Sequence, residues 1–284
     1  MELTFNNKYK EVDIIGRGGF GIIYKVLEIK TKKFYALKFI TIVNNDEIKN
    51  FKEQYEKEIE VMKTIKNKYI IELIDYFIVN KKGYCIVMKL CDCNLKNILD
   101  KYKPNGLPID IIKKIFIQLN EALKIMRKNN YYHRDLKPDN ILIKYTDNNK
   151  TDFNIKLSDF GFSSNEITSS FKSHTNVGTK EYKAPEVIKK KYNNKSDLWS
   201  LGIILYELYT NKYIFYSEDP KEEDNNRYEG RIVKETDNEM INKLIRKLIQ
   251  VKIDERIGWK EYFNDDFFKI KKAESELNSN LIVK

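Results

Sequence analysis

The sequence predicts an α+β fold in two lobes: a small N-terminal lobe of strands with one main helix, and a larger lobe that is mostly α-helical. Three observations carry this. Residues 9–15, 22–29, 34–40, 73–78 and 84–90 alternate or run apolar with aromatic and β-branched side chains, as strands do. Residues 46–65 instead set Ile48, Phe51, Tyr55, Ile59, Met62 and Ile65 at three- and four-residue spacing, one apolar face of a helix of about five turns. Past residue 94 the pattern turns helical, with strongly apolar stretches at 109–129 and 196–210 and an amphipathic stripe at 238–251.

These patterns divide the chain into an N-lobe at 1–88, a hinge at 89–93, a C-lobe at 94–272 and a polar C-terminal tail at 273–284. The polar stretch 144–153 reads as a surface loop, and Cys91-Asp92-Cys93-Asn94 as a short connector after the last N-lobe strand. A junction between two such lobes is where a ligand is expected.

Composition narrows the possible functions. With 42% hydrophobic and 33% charged residues, the 284-residue chain is of ordinary globular type. The first residues carry no apolar leader, the C-terminus no lipidation signal, and no apolar run is long enough to span a bilayer, so the expected location is cytoplasmic or nuclear, with no membrane partner. Cys85, Cys91 and Cys93 have only His133 and His174 as histidine co-ligands, which favours free thiols over a zinc site. The net charge of +10 suggests nucleic acid at first sight, but only 7 of the 52 basic residues are Arg, the side chain best suited to phosphate and base edges. No nucleic-acid partner is expected. Acidic protein partners remain open.

Three groups of residues carry chemistry. Gly16-Arg17-Gly18-Gly19-Phe20-Gly21 lies between two strands, and glycines let backbone amides approach phosphate closely. A strand follows rather than a helix, which argues against a dinucleotide fold. Lys38 sits among apolar strand residues, where a charge is costly unless paired. Glu58, on the helix that follows, is in a position to pair with it. Finally, His133-Arg134-Asp135-Leu136-Lys137-Pro138-Asp139-Asn140 precedes an apolar strand, and Asp159-Phe160-Gly161 follows another. Two carboxylates and an amide oxygen bracketing apolar strands suit a hard cation and a triphosphate.

In this order, and with Ala184-Pro185-Glu186 after them, the motifs resemble the protein kinase family from about residue 9 to residue 268. The resemblance implies the bilobal protein kinase fold and a serine/threonine protein kinase that uses ATP with Mg2+, for which Mn2+ can substitute. It implies nucleotide contacts from Gly16, Gly18, Phe20, Gly21, Ile23, Ala36, Lys38, Met88, Lys89, Cys91 and Leu142, with Met88 as gatekeeper and Lys89 and Cys91 acting through backbone atoms. Lys38, anchored by Glu58, would hold the α- and β-phosphates. Asp135 would accept the substrate hydroxyl's proton, and Lys137 would neutralise the γ-phosphate. Asn140 and Asp159 would bind the metal.

The resemblance reaches regulation and substrate as well. Lys137, with Thr179 after Gly178, marks serine/threonine rather than tyrosine specificity. Arg134 before the catalytic Asp implies a switch by activation-loop phosphorylation, with Thr175 at the matching position and an upstream kinase or autophosphorylation as its source. The pocket for the residue after the acceptor would be built by Asn176, Lys180 and Lys183. Two lysines there, where apolar residues are usual, imply protein substrates with an acidic residue after the target. Asp197 is expected to anchor the catalytic loop, Arg256 to pair with Glu186, and Met62, Leu73, Phe160 and His133 to stack between the lobes.

Overall fold

The computed structural model describes residues 3–18, 21–41, 48–79, 83–163, 180–189 and 191–269. Phe20, Thr175, Asn176 and Thr179 lie outside the described residues.

The N-terminal part is one six-stranded sheet of order β1-β2-β3-β4-β6-β5, antiparallel throughout. Its strands are β1 (Thr4–Phe5), β2 (Tyr9–Gly18), β3 (Gly21–Glu28), β4 (Phe34–Thr41), β5 (Leu73–Val79) and β6 (Gly83–Lys89). One helix, α1 (Ile48–Thr64), lies between β4 and β5. The two-residue period of the strands sorts their side chains onto two faces. Tyr24, Val26, Leu37, Cys85 and Val87 pack with Phe5 and Tyr9 into a small core on one face. The register pairs Ile23 with Lys38 and Ala36 with Met88, so these four share the other face. That face, with Ile40, Ile86 and Met88, joins the main core of the molecule.

β3 demands glycine at its first residue. Gly21 has φ +123°, and a Cβ there would stand 2.0 Å from the carbonyl oxygen of Phe39 on β4. Any side chain would push the β2–β3 hairpin off β4. At Gly18 a Cβ would meet nothing within 4 Å, so this stretch of backbone faces open space.

The remainder is helical around a small sheet. In chain order come β7 (Cys93–Asn94), α2 (Leu95–Lys101), α3 (Ile109–Lys128), β8 (Ile141–Tyr145), β9 (Phe153–Leu157), α4 (Pro185–Ile188), α5 (Ser196–Thr210), α6 (Pro220–Glu229), α7 (Glu239–Leu248) and α8 (Trp259–Phe263). Twelve of the fifteen residues of α5 are buried, so it forms the axis of this lobe. α7 buries Ile241, Leu244, Ile245 and Leu248, a stripe of one helical face, against it. Full burial of each such side chain contributes about 1.5–3 kcal/mol. Among the described residues no helix is long and apolar enough to cross a membrane.

The sequence-predicted strands and helices all form, with ends shifted by up to three residues. Cys93 and Asn94, within the stretch expected to be a plain connector, form β7 and pair with β8; Asn94 also caps α2, and Asn94 and Asn97 exchange the two hydrogen bonds of a capping box. In the stretch expected to be a surface loop, only residues 146–152 are turn; 144–145 extend β8 and Phe153 starts β9.

Candidate active site

β3, β4 and α1 build the first half of the site. Lys38 is 7% exposed and carries a full charge, which burial alone would expel. Its Nζ lies 2.7 Å from Glu58 Oε2 and 2.8 Å from Asp159 Oδ1. Burial works against the ammonium, but the charges of Asp159 and Glu58 outweigh it and hold Lys38 protonated well above its ordinary range. Burial, only partly offset by Lys38 and reinforced by Asp159, lifts Glu58 above the usual carboxylate range. Asp159 is likewise opposed by burial but held below that range by Lys38. One ammonium thus ties together β4, α1 and the loop after β9.

The second half is the loop between α3 and β8. Asp197, near the start of α5, accepts the backbone N–H of His133 at 2.8 Å and of Arg134 at 2.9 Å. Those bonds hold Arg134 in the left-handed region at φ 67°, a conformation with a cost for a residue that has a Cβ. Asp135, 6% exposed, then projects beside Lys137, whose Nζ is 3.0 Å away. Asn140 donates its amide to the Asp135 carbonyl at 2.8 Å and to Oδ2 at 3.0 Å. Spending both N–H directions this way leaves its amide oxygen as the atom to offer a cation.

The two halves are locked together. Ser158 donates both N–H and Oγ to the Asn140 carbonyl, each at 3.0 Å, fixing the residue before Asp159 to the catalytic loop. His133 Nε2 lies 3.0 Å from the Ser158 carbonyl, and its ring meets that of Phe160 at 5.4 Å. Met62, His133 and Phe160 are buried, and Leu73 packs partly buried on the same core. Asp159 itself has φ 64°, strain placed at the site rather than in the scaffold.

Of the expected nucleotide contacts, Ile23 and Ala36 are half-buried on the same sheet face as Lys38 and buried Met88, and Leu142 on β8 is also half-buried. Lys89 ends β6 with an exposed side chain and gives its backbone N–H to Glu72, while Cys91 is half-buried just beyond. Gly16 and Gly18 lie on β2 and Gly21 opens β3.

The two expected substrate lysines part company. Lys180 is exposed, and its Nζ binds both carboxylate oxygens of Asp224 on α6 at 2.8 and 2.7 Å. Lys183 is half-buried; burial pulls its ammonium below the ordinary value, with Asp135 acting to raise it and Lys137 to lower it further. The segment between them is clamped. Arg227 and Tyr213 donate to the Lys180 and Glu181 carbonyls at 3.3 and 3.2 Å, and Ser200 to the Tyr182 carbonyl at 2.8 Å. Asp224, Arg227 and Tyr213 were not singled out from the sequence. Asp219-Pro220 before the helix and Gly230 after it are a readable start and stop for α6.

The donor set fits a nucleotide-bound divalent cation. Asp159 and Asn140 present oxygen atoms, the ligand type that Mg2+ prefers, and a cation completed by phosphates and water needs few protein ligands. Among the described residues no three or more His, Cys, Asp or Glu side chains gather as a self-sufficient metal site.

A family model described as protein kinase domain matches residues 9–268, the stretch that carries this lysine, glutamate, pair of aspartates and asparagine. The chain belongs to the protein kinase family. It is 35% identical to serine/threonine-protein kinase TIO of Arabidopsis thaliana, over 74% of this chain and 15% of that protein. It is 28% identical to serine/threonine-protein kinase ATG1 of Debaryomyces hansenii, over 88% of this chain and 33% of that protein. It is 31% identical to human cyclin-dependent kinase-like 5, over 75% of this chain and 21% of that protein. The chain therefore spans a third or less of the length of these relatives.

Proposed function

We propose that this chain is a serine/threonine protein kinase that transfers the γ-phosphate of ATP to a protein hydroxyl, with Mg2+ held by Asn140 and Asp159. The carrying observation is that Lys137 Nζ and the Asn140 amide each lie 3.0 Å from Asp135 Oδ2 while Lys38 joins Glu58 to Asp159. The cation would neutralise phosphate charge when bound. Asp135 orients the acceptor hydroxyl and takes its proton, and Lys137 is placed to meet the phosphate oxygens. Asp135→Asn should lower turnover by about 10²- to 10⁴-fold, since the amide cannot accept that proton. Radiolabelled ATP transfer to casein measures this. Equal transfer by wild type and variant would sink the proposal.

Two finer readings belong to it. Phosphorylation of Thr175 switches the enzyme on through Arg134, a reading supported by its half-buried guanidinium, which lies 4.4 Å from the Tyr192 ring centre. A Thr175→Ala variant with the wild-type rate after incubation with Mg-ATP would remove it. The second is a preference for an acidic residue directly after the acceptor. Lys183 supports it, because its electrostatic neighbours are Asp135 and Lys137, whereas Lys180 is committed to Asp224. On a peptide array Lys183→Leu should cut the advantage of acid-bearing peptides roughly threefold to tenfold, the net worth of one ordinary hydrogen bond. Lys180→Ala should leave it. An apolar preference in the wild type would refute the reading. Cytoplasm or nucleus is the proposed location.

A further inference from the structure

Arg134 ends a ladder of rings and guanidinium groups that runs across the lower lobe. Arg127, in the last turn of α3, lies with its guanidinium carbon 5.6 Å from the Trp259 ring centre and 4.0 Å over Tyr132. Tyr132 meets Tyr192 edge-on, with ring centres 6.2 Å apart at 71°. The Arg134 guanidinium lies 4.4 Å from the Tyr192 ring centre. The chain near Tyr192 is pinned from the far end of the same ladder, because Trp259 Nε1 donates to the Asn194 carbonyl at 2.6 Å. Asn193 is held too, donating to Glu186 at 3.1 Å.

Tyr192 is also an electrostatic neighbour of the acid that sets the catalytic loop. Its hydroxyl is buried beside Asp197, and burial followed by that carboxylate raises its proton affinity well above the ordinary value. The same carboxylate holds the N–H groups of His133 and Arg134. One residue therefore carries its ring against the side chain of Arg134 and its hydroxyl in the field of the acid that anchors the Arg134 backbone. A guanidinium stacked on an aromatic face keeps its plane fixed while its N–H groups point outward along that plane. That is the geometry in which it receives a planar or tetrahedral oxyanion.

We infer that Tyr192 is a positioning residue for Arg134: its ring fixes the guanidinium in the orientation that receives a phosphomonoester borne by this chain. This rests on the reading that Arg134 answers to loop phosphorylation. Tyr192 is not a catalytic residue and touches no reacting atom. The ring face is what matters, so phenylalanine should serve and an aliphatic side chain should not.

The test compares wild type, Tyr192→Phe, Tyr192→Leu, Tyr192→Met, Arg134→Ala and the Arg134→Ala/Tyr192→Leu double variant. Each is incubated with Mg-ATP and assayed before and after phosphatase treatment. Tyr192→Phe should keep the phosphatase-sensitive rate within about twofold. Tyr192→Leu and Tyr192→Met should lower kcat of the phosphorylated form about threefold to thirtyfold, the range a cation–ring contact spans. The KM for ATP and the dephosphorylated rate should stay unchanged, and the double variant should match Arg134→Ala. Tyr192→Met fills the space without a ring and is read in place of Tyr192→Leu if the latter does not fold. Three results overturn the inference: equal loss in phosphorylated and dephosphorylated enzyme, a further loss in the Arg134→Ala background, or no loss on removing the ring. If Arg134→Ala itself leaves the phosphorylated rate intact, the loop-phosphate reading falls first and this inference with it.

Discussion

Lys38→Met should lower phosphoryl transfer to about 1% of the wild-type rate or less, and Glu58→Gln should restore part of the lost stability without restoring activity. The two effects separate because Lys38 does two things. In the folded chain its ammonium lies 2.7 and 2.8 Å from the carboxylates of Glu58 and Asp159. Without it, two buried carboxylates share a site with no cation between them, so one must take up a proton or the site must open. Glu58 is the one to neutralise, since burial already lifts it above the usual carboxylate range. Glu58→Gln in the Lys38→Met background removes that buried charge and should raise the melting temperature relative to Lys38→Met alone. Transfer stays lost, because no other cation of the sheet replaces Lys38 opposite the phosphates. Steady-state transfer and thermal melts on the two single variants and the double variant settle the matter. Full activity in Lys38→Met would show that the site works by some other geometry.

The sign of the pH effect follows from the same triad. Glu58 has a raised folded-state pKa, so it favours the folded chain when protonated and loses that contribution as pH rises through its folded value. Asp159 is depressed and behaves oppositely, contributing above the ordinary carboxylate range and losing its contribution as pH falls. In Lys38→Met the depression of Asp159 disappears, and the variant should resist acid better, relative to its neutral-pH stability, than the wild type does.

How much of this was legible in the sequence depends on the range of each signal. α5 could be read to the residue, because after Ser196-Asp197 the stretch up to Tyr209 is interrupted by only two polar side chains, Ser200 and Glu207. The catalytic residues were legible because phosphate chemistry fixes their types and spacing, and Asp135, Lys137 and Asn140 sit in one short loop. Glu58 was only a candidate partner for Lys38, since a helical face gives direction and not distance; the 2.7 Å ion pair needed the fold. The division between Lys180 and Lys183 was not legible at all. It depends on Asp224, 44 residues further along the chain, reaching back from α6 to take one lysine and leave the other beside Asp135. The Tyr192 contact is of the same kind, a ring placed by tertiary structure alone.

Arg256→Met should destabilise the fold by about 3–5 kcal/mol, the usual result of stripping one partner from a buried ion pair. For a chain of this size that corresponds to roughly 6–15 °C in melting temperature. Arg256 is 1% exposed, and its five N–H groups match the five hydrogen bonds it makes. Two go to the Glu186 carboxylate at 2.7 and 3.1 Å, one to the Lys195 carbonyl at 3.0 Å, and two to the Gln250 carbonyl at 3.0 and 2.9 Å. Lysine has three donors on a flexible stem and cannot reproduce that fork, so Arg256→Lys should recover less than half of the loss. Burial opposes the Glu186 carboxylate, but hydrogen bonds and charge from Arg256 hold it below its ordinary value of 4.5. Its contribution is therefore complete above that value and is lost as pH falls through the depressed one. Melts of wild type and Arg256→Met should converge on acidification below about pH 4.5. A gap that stays constant into that range would mean the arginine stabilises the lobe through its guanidinium on Trp199, 5.2 Å from the ring centre, rather than through the charge of Glu186.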